Sequence, residues 1–430
     1  MTGEALGAID RARLRLADGL VILGLVTFMV SALHKRSLAN IGLIIGLLGL
    51  LVQLDTAWHD RLVRPLLAIT AAYLGYLLCW LLLDPTVDGS AAGDLMRRGA
   101  LPVLIVAWGL HRWPRWVYPL LALALVSFAA RVLLRLDAGA LAALQTGAAR
   151  ATFGDSAINF GLWCAIAVLG LALFAPHCFA RRPGRRGLIG AWALLLTLFL
   201  AALALSGARS AWLACALVLP VVLTRWARDY GYGERDGLLV LAVLGPLLLA
   251  IAIRFARPLR LRLLDGRELP TVQAVWRGEW DQLPATSLGN RLRMYHLFWQ
   301  EWREAPLFGH GPGSAPELLA QAGPALARRE FVHFHCTPCT AMVELGLAGL
   351  ALHTGVIVLV VLAALRGRRR GLLAANLFWF ILGALALFAV VALFNDPLAG
   401  RRGPYVLALI GGLAYAWHTS PAGGTRPGAA

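Results

Sequence analysis

Lysine is nearly absent. Of 40 cationic side chains only Lys35 is a lysine, and the rest are arginines. Acidic residues are also scarce, at 23. Charged residues make up 15% of the 430-residue chain, against about 25% in ordinary soluble domains. A surface covered in solvated charge is therefore excluded. So is a disordered chain, because 59% of the residues are hydrophobic. Several catalytic signatures are missing: there is no G-x-x-x-x-G-K loop, no G-x-S-x-G elbow, no H-E-x-x-H pair and no D-x-D for a metal-bound sugar nucleotide. What remains is chemistry that needs neither ATP nor an obvious metal, and no cofactor is expected. Cysteine is sparse. Cys79, Cys164, Cys178 and Cys215 lie in or beside apolar runs and read as packing residues, which leaves the C-x-x-C pair Cys336 and Cys339. No cleavable signal and no internal repeat is expected.

A net charge of +17 would suit nucleic acid, but the chain is too apolar for that partner, and none is expected. A GC-rich coding sequence exchanges Lys for Arg throughout, which accounts for most of the bias. Only the placement of each arginine is therefore informative.

Mean hydropathy is +0.70. Windows of about 20 residues, the length that crosses a bilayer, mark twelve apolar segments. They lie near 18–33, 38–54, 64–83, 99–110, 115–134, 156–175, 187–206, 210–226, 237–253, 344–365, 371–394 and 403–418. The pattern predicts an all-α polytopic membrane protein of about 12 transmembrane helices. The basic clusters Arg181–Arg186 and Arg366–Arg370 fall on one side if both termini are cytoplasmic, as the positive-inside rule requires, while Lys35-Arg36 dissents mildly. The expected organisation is helices 1–9 over residues 1–253, one large and mostly helical outer loop domain over 254–343, helices 10–12 over 344–418, and a disordered cytoplasmic tail over 419–430. The outer loop contains Trp276, Trp280, Trp299 and Trp302, and a helical repeat over 289–304 that Asn290 could cap. The segment 306–316 is too rich in Gly and Pro for either regular structure.

Three outer clusters could do chemistry. Arg209 follows Ser206-Gly207-Ala208 at a span boundary. It either snorkels to headgroups or sits at the depth of a lipid-linked phosphate, and position alone favours the first. Arg291 and Arg293 lie two apart at a helix start, a place that suits an anion, and point in different directions. The third cluster runs from His333 through His335 and Cys336 to Cys339. It could be a strained metal nest, a disulfide beside a histidine, or a general base with an orienting neighbour.

Together these motifs resemble the O-antigen ligase and polymerase superfamily of bacterial inner-membrane glycosyltransferases, over roughly residues 185–400. The residues that carry the resemblance are Ser206-Gly207-Ala208-Arg209-Ser210-Ala211-Trp212; Arg291 with Tyr295 and the run Pro306-Leu307-Phe308-Gly309-His310-Gly311-Pro312-Gly313; and His335 followed by Gly346 and Gly349. Cys336 stands where the family usually has Asn, Ser or Gln, and Tyr295 where Trp is common. The resemblance implies an enzyme with its active site facing the periplasm. The donor would be a glycan on undecaprenyl pyrophosphate in the membrane lipid, the acceptor a sugar hydroxyl of lipid A–core, and the displacement metal-independent and inverting. Arg209 and Arg291 would hold the pyrophosphate, with Arg293 and Arg150 as further cations. His335 would deprotonate the acceptor, with His333 as runner-up and Asn395-Asp396 as a polar contact. The rivals are a polymerase acting on the same donor, a protein O-glycosyltransferase and, from another class, a transporter or flippase. Against the last, the chain shows no matching halves and few charges within spans.

Overall fold

The computed structural model describes residues 3–60, 63–83, 89–135, 154–179, 184–230, 269–323, 331–400 and 402–417, with Thr152, Gly245 and Leu326. All regular structure among these residues is helical. The first half contributes α1 (Gly3–Ser31), α2 (Arg36–Val52), α3 (Leu54–His59), α4 (Val63–Leu83), α5 (Gly89–Arg98), α6 (Ala100–Arg112) and α7 (Val117–Leu134). Next come α8 (Ala157–Leu173), α9 (Ala175–Phe179), α10 (Arg185–Ser206) and α11 (Arg209–Asp229). The remainder is α12 (Leu269–Trp276), α13 (Ser287–Glu304), α14 (Ala315–Gln321), α15 (Thr337–Arg369), α16 (Ala375–Ala392) and α17 (Gly403–Ala416).

Seven of these helices are long and apolar enough to cross a membrane: most of α1, then α4, α7 with the turn before it, α10, α11, α15 and α16. Four shorter apolar helices, α2, α6, α8 and α17, accompany them. Eleven of the twelve apolar segments are thus helical. The ninth segment near 237–253 apart from Gly245, loop residues 254–268, the tail and Arg150 lie outside the described residues.

Burial sorts the helices. The short helices α6, α8 and α17 are buried almost all round, as expected of helices apolar on every face at the centre of a bundle. The long helices α4 and α10 instead turn Leu74, Leu78, Leu82 and Leu194 outward, each at least half exposed. An outward apolar face suits contact with lipid. Glycine permits the closest approaches. A Cβ on Gly42 would lie 2.6 Å from the backbone nitrogen of Phe28, so α1 and α2 touch backbone to backbone.

Two features set the axis along which the functional residues lie. At one end of the bundle, Asp229 at the foot of α11 accepts from Trp379 at 2.9 Å and pairs with Arg368 at 3.5 Å, among the basic residues that close α15. The other end of α15 begins far earlier than the apolar run at 344, because Cys336 caps the helix and Pro338 stands in its first turn. The helix then breaks at Gly346 (φ 63°, ψ −165°), a backbone region open only to glycine. The groups released by the break are satisfied by the Gly-rich loop. His310 N donates to Val343 O at 2.8 Å and Gly311 N to Glu344 O at 2.9 Å. Leu347 N reaches Pro306 O at 2.9 Å, and Ala348 N reaches Leu307 O at 3.0 Å. Tyr76 of α4 closes the joint by donating toward Phe308 O (2.6 Å) and Leu345 O (2.9 Å). Two motifs read separately in the sequence are therefore one structural unit.

A satellite core of Met294, Ala315, Leu319, Leu326, Phe334 and Val343 binds α13, α14 and the His segment to the start of α15. Thr286, not Asn290, caps α13: its hydroxyl accepts from Gly289 N at 3.0 Å. The helix begins before the periodic residues do, which leaves Asn290 inside its first turn.

Gly346→Ala adds a methyl that meets the backbone of Leu307, in a conformation that by itself costs a side chain about 1–3 kcal/mol. It should lower the melting temperature in detergent by several degrees or prevent folding. Gly75→Ala, whose Cβ meets open space, should leave it unchanged.

Candidate active site

The loop joint at Gly346 and the satellite core hold the segment 331–336 against the end of α16. His335 has the one positive φ among the described non-glycine residues, 52°. Such a backbone is disfavoured for a side-chain-bearing residue and persists where its surroundings over-determine it. Those surroundings are dense. His335 N donates to His333 Nδ1 at 3.1 Å, and the two rings lie edge to face at 4.6 Å. Phe331 covers a further face at 5.4 Å. His335 Nδ1 lies 3.1 Å from Asn395 Oδ1, and Asn395 Nδ2 donates to Asn159 Oδ1 at 2.8 Å. Immediately after His335, Cys336 and Cys339 are joined as a disulfide. The bridge removes both thiolates from the four-ligand metal nest that the sequence allowed.

Electrostatics favour neutral imidazoles. Burial pushes His335 down to about 4, and neighbouring His333 and Arg291 reinforce the shift against the opposing pull of Asn395 and Asp396. His333 is also lowered, chiefly by burial and further by Arg98. Asp396 is buried, and burial would raise its carboxyl. Arg98, His333 and donated hydrogen bonds outweigh that effect and hold it below its ordinary value.

The sequence-derived residues divide by position. Arg291, His333, His335 and Asp396 come together around the start of α15. Asp396 accepts from Thr337 Oγ1 at 2.9 Å and from the backbone nitrogens of Leu398 and Ala399 at 3.0 Å each, so its carboxylate ties the turn after α16 to α15. Arg293 is engaged on its own side of α13. Its guanidinium bonds Leu283 O and reaches Asn290 Oδ1 at 3.3 Å. Arg209 opens α11 and is exposed. The turn before it packs on α8, where a Cβ on Gly161 would meet Ala208 Cβ and Ser206 Oγ at 2.9 Å. Gly161 lies two residues beyond Asn159, so Arg209 occupies the same end of the bundle as His335. No hydrogen bond or ion pair joins its guanidinium to His335 among the described residues.

Two participants came from stretches without a recognised motif, and a third was read only as a polar contact. Arg98, the last residue of α5, donates to Glu344 Oε2 at 3.2 Å, and both side chains are largely buried. Asn159 is the polar exception in α8, an otherwise apolar helix, and that contrast was its signal. Asn395 stood beside Asp396, but nothing in the chain tied it to a histidine 60 positions away. Near α8 the buried pair Asp155–Arg402 (2.8 Å) fixes the approach to that helix against the start of α17.

A second group, Glu301, Glu304 and His310, offers three possible ligand atoms within 4.8 Å of one another. It lies at the far end of α13 from Arg291, and His310 Nε2 already faces Glu301 O at 2.8 Å.

With His335 lowered to about 4, its basic neutral form predominates above that pH. Activity that depends on it should stay level from pH 8 down to about 5 and fall near 4. The measurement is a pH–rate profile of kcat/KM. An acid limb near 6.5 would place the essential base in an unburied environment.

No curated protein matches this chain. Residues 192–354, which contain Arg209, Arg291, His333, His335 and the Gly346 joint, match the family described as O-antigen ligase, and the match supports the resemblance to the O-antigen ligase superfamily.

Proposed function

We propose that this protein is an O-antigen ligase that moves a glycan from undecaprenyl pyrophosphate to a sugar hydroxyl of lipid A–core, at the periplasmic face of a bacterial inner membrane. The observation behind this reading is that His335, with Nδ1 engaged by Asn395, lies within the electrostatic reach of Arg291 at the bundle end away from Arg366–Arg370. By the positive-inside rule that end faces out of the cell. In this reading residues 254–343 form the outer domain that covers the cleft, and 344–418 supply the closing spans. The exposed indole of Trp276 offers a face on which a sugar can stack.

The reaction needs one proton acceptor and a sink for charge. His335 Nε2 takes the acceptor's O–H proton. That oxygen attacks the anomeric carbon from the face opposite the leaving group, the bond from that carbon to the pyrophosphate oxygen breaks, and the electron pair leaves with undecaprenyl pyrophosphate. A single displacement of this kind inverts the anomeric centre. The developing charge is met by fixed guanidinium groups, which act without reorganisation in a site that excludes water. Arg291 and Arg209 take that role, and Arg150 is a further cation for the donor. Arg293, Asp396 and His333 hold the elements that present them. The proton on His335 then passes to the departing pyrophosphate or to water. The chemistry requires no metal.

The test is transfer by purified protein from a lipid-linked glycan to rough lipopolysaccharide, beside donor alone. Product on lipid A–core is expected, whereas lengthened donor would identify a polymerase. Arg291→Lys replaces a planar fork with a point charge and should lose about 10²–10³-fold in rate. His335→Ala should lose about 10²–10⁴-fold without loss of protein. Full activity in both variants would overturn the site.

A further inference from the structure

A histidine serves as a base only if the correct ring nitrogen carries the lone pair, and its partner on the other nitrogen sets that choice. The residue after His335 is Cys336, whose sulfur is bridged to Cys339. The ring's partner is a carboxamide from elsewhere in the chain. Asn395, 2% exposed, lies just beyond α16, and its Oδ1 is 3.1 Å from His335 Nδ1. Its Nδ2 faces away from the ring and donates at 2.8 Å to Oδ1 of Asn159, which is also buried. With nitrogen facing Asn159, only oxygen can face the imidazole, and an oxygen there requires a ring N–H. Asn159 is itself held at the start of α8, where its backbone nitrogen meets Ser156 Oγ at 3.2 Å. Gly400 packs against its amide.

We infer that Asn395, oriented by Asn159, is the positioning residue that holds His335 as the Nδ1–H tautomer and so leaves Nε2 as the basic nitrogen. The inference deepens the proposed reaction and rests on His335 being its base. A carboxamide suits the task because it accepts the ring proton without adding charge. The other groups facing the ring are His333 on its own segment, Arg291 from α13 and Asp396 beyond α16, while Arg98 of α5 acts through His333. From α8, Asn159 reaches the ring through Asn395 and contributes no charge.

Two readouts separate orientation from mere packing and from the identity of the base. In ¹⁵N-histidine-labelled protein in lipid, with His335→Gln as the subtraction control, His335 should show a protonated Nδ1 and a bare Nε2 near pH 7. Asn395→Ala should lose that bias and reduce transfer by about 10²-fold or more. Asn395→Asp keeps an acceptor but adds a negative charge, which raises the ring's proton affinity. Its acid limb should move up by a pH unit or more, with transfer at pH 8 within about tenfold of the unaltered protein. Asn159→Ala should fall between the two. A protonated Nε2 in the unaltered protein overturns the inference. So does an acid limb that Asn395→Asp leaves in place while its protein level is normal. If the tautomer is as inferred but Asn395→Ala and His335→Gln both transfer normally, the orientation stands and the assignment of the base fails.

Discussion

The break in α15 at Gly346 is the constraint on which the rest of the site depends. A helix in a low-dielectric setting cannot leave its amides and carbonyls unpaired without a cost of several kcal/mol for each group. Here the loop 306–311 takes the place of the missing helical turn, and the ring of Tyr76 seals the joint. The loop is thereby fixed, and with it the C-terminal end of α13 and the start of α14. The satellite core around Phe334 and Met294 completes the attachment. Arg291, carried on α13, and His335, carried just before α15, owe their relative position to this single interlock.

The second organising feature is how charge is managed at this end of the bundle. Buried charges persist when paired or when donors surround them. Glu344 has Arg98, and Asp396 has Thr337 and two backbone amides. The histidines answer burial by remaining neutral, and nearby guanidinium groups reinforce the effect. A neutral imidazole next to fixed cations suits a reaction that removes a hydroxyl proton while negative charge grows on a leaving pyrophosphate. Arg291, which would stabilise the leaving group, also helps keep the base unprotonated.

Much of this was legible in the sequence, because apolar run length and arginine placement are local properties. The runs predicted helices at α1, α2, α4, α6, α7, α8, α10, α11, α15, α16 and α17, and the motif order predicted the family that residues 192–354 match. What the sequence concealed depends on contacts between distant segments. Asn395 meets His335 and Asn159 only because α16 ends where α8 begins. Arg98 reads as an ordinary loop cation until Glu344 turns out to be its partner. The cap of α13 was misplaced because hydrophobic periodicity starts later than the helix, whereas Thr286 announces the start only through its bond to Gly289. The state of Cys336 and Cys339 was undetermined for a similar reason, since C-x-x-C at a helix start is compatible with a bridge, a metal or simple packing.

In the proposed reaction the donor's diphosphate lies between Arg291 and the end of the bundle that holds His335. A structure determined with undecaprenyl pyrophosphate bound in a lipid nanodisc would locate it. Phosphate oxygens are expected within about 4 Å of the Arg291 guanidinium, with His335 Nε2 facing the side from which an acceptor enters. Phosphate density at the opposite end, among Arg366, Arg368 and Arg369, would contradict it.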